Sequence, residues 1–83
     1  MGNEKGQRRT YREIRERLLY SLALGQQTIR SLSQSAGVNW DTTRNHLIYL
    51  MGKEWARQVL ALPYVRIYEI TEKGRNCINL QKY

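Results

Sequence analysis

Within one short stretch of this 83-residue chain, Trp40, Asp41, Arg44 and Asn45 offer a flat ring, an acceptor, a forked donor and an amide. These types suit recognition rather than bond making, because they complement the donors, acceptors and faces of base edges in a major groove. Asn39 and Thr42 add two more small polar groups to the same rim, and Ile48 continues it. The bland alternative is an amphipathic helix whose polar side is simply solvated. Catalysis lacks its parts: there is no nucleophile with a base beside it, no carboxylate pair and no Gly-rich phosphate loop. A single histidine and a single cysteine leave no metal-ligand spacing and no internal disulfide. The chain is therefore expected to be no enzyme and to need no metal, cofactor or small-molecule ligand. His46 reads first as a half-buried or backbone-contacting histidine and second as a phosphate contact.

Fourteen Lys and Arg against seven Asp and Glu leave a net charge of +7. That balance is the footprint of a nucleic-acid binder, although a membrane surface or an acidic protein also attracts it. No apolar run reaches the length of a bilayer span and the N-terminus has no signal-peptide core, so a cytoplasmic protein without membrane contact is expected. The cations placed to meet phosphates are Arg8, Arg9, Arg12, Arg30, Arg57 and Arg66. Phenylalanine is absent, so six tyrosines and two tryptophans supply the aromatic bulk, and their polar atoms need partners or water when buried.

The elements that position these residues follow from caps and periodicity. Residues 1–9 are polar and basic, with Lys5, Arg8 and Arg9: a flexible arm that reaches a phosphate backbone, or a solvated tail. Residues 10–83 form one domain with a thin core, which a second copy of the chain can complete. Thr10 and Glu13 have the form of a capping box. Tyr11, Ile14, Leu18 and Leu22, with Leu19, give the stripe of a first helix, which Gly25 is expected to stop in a left-handed conformation. Glu13 and Arg17 are spaced to pair on its charged face, which includes Arg12, Arg15 and Glu16. Thr28 caps a two-turn helix with the stripe Ile29, Leu32, Ser33 and Ala36, ended by Gly37, and residues 26–28 can add a very short strand. Asn39 caps the next helix, Asp41 sits in its first turn, and Thr43, Leu47, Leu50 and Met51 are its buried stripe. Gly52-Lys53-Glu54 closes it. Residues 55–62 and 65–71 read as strands joined at Pro63-Tyr64. In the second strand Arg66, Tyr68 and Ile70 share one face and Val65 and Ile67 the other, so both faces are partly apolar. Thr71 caps a last helix over about 72–80, with Cys77, Ile78 and Leu80 as its apolar positions.

A short helix, a glycine-containing turn and a longer helix form a helix-turn-helix arrangement. The run Thr42, Thr43, His46, Leu47 and Leu50 resembles the Thr-Val-x-x-His-Leu-x-x-Leu pattern of recognition helices in winged-helix transcription regulators of bacteria, archaea and archaeal viruses. Tyr68 to Gly74 is similar to the Tyr-x-Leu-Thr-x-x-Gly motif in which that family's second wing strand ends. The resemblance covers residues 10 to about 80. It implies an α+β winged helix-turn-helix fold: a three-helix bundle with a β-hairpin wing and a short C-terminal helix. It also implies that Thr43, Leu47 and Leu50 hold the recognition helix in the core while Asn39, Trp40, Asp41, Thr42, Arg44 and Asn45 face DNA. Two features depart from the pattern. The hairpin tip carries no Lys or Arg, and Asn45 stands where the family often has a basic residue.

The expectation is a homodimeric transcription regulator that binds double-stranded DNA sequence-specifically, with helix 39–53 in the major groove, nucleoid-associated or in the host cytoplasm if viral. Dimerisation would use helix one, the terminal helix or both. Cys77 reads as an inert buried thiol before a cross-chain disulfide. Two other readings fit the same composition. One is a non-specific, chromatin-like DNA binder, against which Asp41 argues mildly because phosphates repel an acid. The other is a winged-helix protein-interaction module using Ile48, Val65 and Ile67 as its contact patch.

Overall fold

Each helix begins where a side-chain oxygen takes over a backbone N–H that the helix itself leaves unpaired. The computed structural model of the chain describes residues 10–78; the arm expected over 1–9 and the apolar position at Leu80 lie outside the described residues. Thr10 and Glu13 close a reciprocal capping box, each backbone N–H donating to the other's side chain over 3.1 Å, and open α1 (Tyr11–Leu22). Thr28 accepts from the Ser31 N–H at 3.1 Å to start α2 (Ile29–Ala36). Asn39 accepts from the Thr42 N–H at 2.9 Å to start α3 (Trp40–Gly52), and Thr71 accepts from the Gly74 N–H at 3.0 Å at the head of α4 (Glu72–Ile78).

The helix ends divide less evenly. Gly37 is left-handed (φ 70°) and ends α2 as expected, with the Val38 N–H donating to the Ser33 carbonyl. At the end of α3 the same motif recurs, since the Glu54 and Trp55 N–H groups donate to the Met51 and Leu50 carbonyls. Its left-handed residue is Glu54 (φ 66°), not Gly52. Gly25 is no left-handed stop: α1 ends at Ala23 in a right-handed conformation, and Gly25 follows at φ 150°, a region that favours glycine.

The apolar stripes of α1, α2 and α3 meet in one core of Leu18, Leu19, Leu22, Leu32, Ala36, Leu47 and Leu50, with Ala56, Tyr68, Ile70 and Ile78 added by the later elements. Ile14, Ile29 and Met51 pack on its margin, whereas Tyr11, placed on the first stripe, is exposed. The buried Tyr68 keeps a partner for its hydroxyl, which accepts from Gln58 Nε2 at 3.1 Å. Buried Ser21 shares a hydrogen bond with Ser35 across the α1–α2 seam.

Three strands form an antiparallel sheet in the order β1-β3-β2: β1 (Gln27–Thr28), β2 (Ala56–Leu62) and β3 (Val65–Ile70). β1 ties the α1–α2 connection to the hairpin by pairing Gln27 with Tyr68 and Thr28 with Ile67. In the hairpin, Gln58 faces Tyr68 but Leu60 faces Ile67, so Val59 is an extra residue in a bulge. The bulge reverses which face the rest of β2 presents. Ala56 and Gln58 lie on the core face with Tyr68 and Ile70, while Leu60 and Leu62 lie with Val65 and Ile67 on the other. That second face is uncovered at one end, where Leu60 and Leu62 are 38% and 40% exposed. Cys77 is also exposed, because Gly74 and Ile78 turn the buried side of α4 away from it. No described helix is long and apolar enough to cross a membrane.

Two substitutions test this account in opposite directions. A Cβ at Gly74 would overlap the Trp55 carbonyl oxygen, so Gly74→Ala should lower unfolding stability by about 1–3 kcal/mol. Glu54→Gly should raise it by roughly 1 kcal/mol, because it relieves a left-handed non-glycine residue and removes only an exposed ion pair to Lys73. Urea titration of the two variants beside the parent chain checks both.

Candidate nucleic-acid interface

Residues at i, i+3, i+4 and i+7 share one side of a helix. On α3 that rule sends Thr43, Leu47 and Leu50 into the core and leaves Asp41, Arg44, Asn45 and Ile48 as a continuous exposed stripe. Trp40 stands exposed at its N-terminal end and Thr42 is half-buried beside it. Arg44 and Asn45 make no hydrogen bond or ion pair with other described residues, so their donors and acceptors are free for a ligand. Asn39 differs, since its Oδ1 already accepts from the Thr42 N–H at the cap.

The cations expected at phosphates do not all stand free. Arg12 pairs with Glu16 at 3.6 Å, and this is the ion pair of the α1 face; Glu13 instead serves the capping box, and Arg17 does not pair with it. Arg17 Nε donates to the Ala36 carbonyl at 2.9 Å, a cation capping the C-terminus of α2. Arg57 is held at 2.6 Å by Glu69, whose other oxygen accepts from Gln26 Nε2 at 3.0 Å. The Gln26 and Arg57 hydrogen bonds keep the Glu69 carboxyl below its ordinary range, so a charged carboxylate faces Arg57 and competes with any phosphate for it. Arg30 and Arg66 are exposed and unpaired among the described residues, and both line a groove beside Trp40. Arg8 and Arg9 lie outside the described residues.

His46 is removed from the phosphate set. It is only 8% exposed, its Nδ1 accepts from Arg15 Nε at 3.3 Å, and its ring meets the edge of Tyr11 with centroids 5.2 Å apart. Burial first, and the Arg15 charge second, push its pKa below the ordinary 6.5, so it is neutral at pH 7. Arg15 in turn lies 3.5 Å above the centroid of Tyr49, which packs edge-on against Trp55. Sequence reasoning placed Arg15 on a solvated face and missed this clamp between α1 and α3. A signal was present: Tyr11 and Arg15 are one turn apart on one helix, as His46 and Tyr49 are on the other.

The assembled surface is thus the α3 stripe, with the Asp41 carboxylate in its first turn, flanked by the guanidiniums of Arg30 and Arg66. It can hydrogen-bond planar edges and balance negative charge beside them. Among the described residues no three His, Cys, Asp or Glu come together to hold a metal ion. Compared with known proteins, the chain matches no family model, and no curated protein is similar to it.

The clamp has a pH signature. Because His46 loses its proton more readily in the folded state, the unfolded chain binds more protons once the pH falls below about 6.5. Stability is therefore full above that pH and declines as the pH falls through the folded-state value. His46→Gln should flatten the decline between pH 7.5 and 5, as this is the sole histidine. Urea midpoints measured across that range, where the parent and the variant should diverge, provide the check.

Proposed function

We propose that this chain is a winged helix-turn-helix protein that binds duplex DNA, reads sequence with α3 in the major groove and regulates transcription as a homodimer. The order α1-β1-α2-α3 followed by a β2–β3 hairpin is compatible with that layout, with the hairpin as the wing. The observation that carries the reading is the division of α3: one side is locked into the core, while the other presents Arg44 and Asn45 with unspent hydrogen-bonding groups. Arg44 suits guanine, Asn45 suits adenine, and Asp41 selects against phosphate-only docking. In a two-fold dimer the two α3 helices would enter half-sites about 34 Å, or roughly 10 base pairs, apart. Exposed apolar groups that α1 and its end could lend to such an interface are Tyr11, Tyr20 and Leu24.

Selection from a randomised duplex pool near physiological salt, against excess competitor, tests the reading directly. An enriched inverted repeat is the expected result. Retention without a motif would instead favour a chromatin-like binder, and no retention a protein-interaction module. On the selected site Arg44→Ala should cost about 1–3 kcal/mol and relax one base position, whereas Arg9→Ala should weaken all sequences alike and lower the salt slope by about one. Equal losses on target and random DNA for Arg44→Ala would remove Arg44 from base reading.

A further inference from the structure

Between the head of α3 and the tip of the hairpin runs a groove of about 370 Å³, lined by Arg30, Trp40, Pro63, Tyr64, Val65 and Arg66 with Thr28 and Ile29 at its floor. Its size sits at the small end of ligand clefts, about 300–1,000 Å³, which suits one ring system and not a base pair. Two aromatic rings open into it: Trp40, 49% exposed, and Tyr64, 85% exposed. Among the described residues neither is paired with another ring, in contrast to Tyr11 with His46 and Tyr49 with Trp55. Two guanidiniums, Arg30 and Arg66, line the same groove without an acidic partner among the described residues, and none of its described walls carries a carboxylate. Rings that stack a base, beside cations that hold its phosphates, are the parts of a single-strand nucleotide site.

We propose that this groove takes one unpaired nucleotide of a DNA strand, its base stacked on Trp40 and Tyr64 and its phosphates held by Arg30 and Arg66. The proposal rests on the DNA-binding reading and goes beyond it by naming unstacked DNA as the preferred form. It also accounts for the tip, where Leu62-Pro63-Tyr64-Val65 is apolar and lacks the cations that simple groove insertion would use. An apolar, aromatic tip is suited to holding a base step apart. A lipid surface is the competing occupant for exposed Tyr, Trp and Arg, but here the rings line a common cavity rather than a flat face.

The test uses the full chain and two duplexes of the same sequence, one fully paired and one carrying a single unpaired 2-aminopurine. The unpaired duplex should bind roughly 5- to 100-fold more tightly, and its 2-aminopurine fluorescence should be quenched on binding. Tyr64→Ala, at an exposed turn position, should erase that preference and leave paired-duplex affinity within about twofold. Tyr64→Phe should keep it, because stacking needs the ring and not the hydroxyl. Equal affinity of the parent chain for the two duplexes would overturn the groove proposal and leave duplex binding intact. An undiminished preference in Tyr64→Ala would overturn the placement. Binding to the unpaired form alone would sink the duplex reading but keep the groove, and capture by anionic vesicles with no DNA binding would overturn both.

Discussion

At Thr71 one hydroxyl group joins the end of α3 to the head of α4, beside the roots of both hairpin strands. Its oxygen accepts from the Gly74 N–H and so starts α4, while its proton goes to the Glu54 carbonyl 2.7 Å away. The Thr71 N–H meanwhile donates to the Trp55 carbonyl. Four elements therefore meet at one residue: the end of α3, the root of β2, the end of β3 and the head of α4. Such a junction needs the chains to approach closely, which explains Gly74 on one side. On the other side it obliges α3 to turn sharply into β2, and the left-handed Glu54 is the strained residue that makes the turn.

From that junction the geometry of the proposed site follows. With β2 fixed at its root, the hairpin runs along a set direction, and the Val59 bulge then decides which side chains its far half presents. Reversal at the bulge puts Leu60 and Leu62 on the outer face and leaves Ala61 opposite Arg66. Arg66 consequently stands free at the groove, where a bulky neighbour across the strand would crowd it. The short pairing of β1 with β3 completes the arrangement by bringing Thr28, and with it the head of α2 and Arg30, to the same edge.

Much of this was legible in the sequence, for a physical reason. Caps depend on residues three apart, so Thr10, Thr28, Asn39 and Thr71 announce their helices without help from the rest of the fold. Periodic stripes did the same for the core, apart from Tyr11, whose ring edge meets His46 outside it. What stayed hidden depends on partners distant in the chain. Glu54 is left-handed because Thr71 and Trp55 hold it there, although two residues earlier a glycine offered itself. Arg57 looks like a free cation until β3 places Glu69 opposite it, and Arg15 looks like a solvent residue until α3 brings Tyr49 beneath it. The same holds for Val59, since a bulge is a property of the strand pair and leaves no mark in either strand alone.

These hidden partners change what the net charge of +7 means for the proposed function. A count of arginines treats each as a phosphate contact, but Arg15 stacks on Tyr49, Arg17 caps α2 and Arg57 pairs with Glu69. These three are engaged within the protein, Arg15 on α3, Arg17 at the end of α2 and Arg57 across the hairpin. Among the described residues, Arg44 on the exposed stripe of α3 and Arg30 and Arg66 in the adjoining groove are left unpaired. Each arginine withdrawn from phosphate contact in the proposed complex would weaken the sequence-independent term and leave a larger share of the affinity to base edges and stacked rings. In the proposed complex an arginine engaged within the protein, as Arg15 is on Tyr49 of α3, would then favour selectivity, because it steadies the helix without adding attraction for every sequence alike.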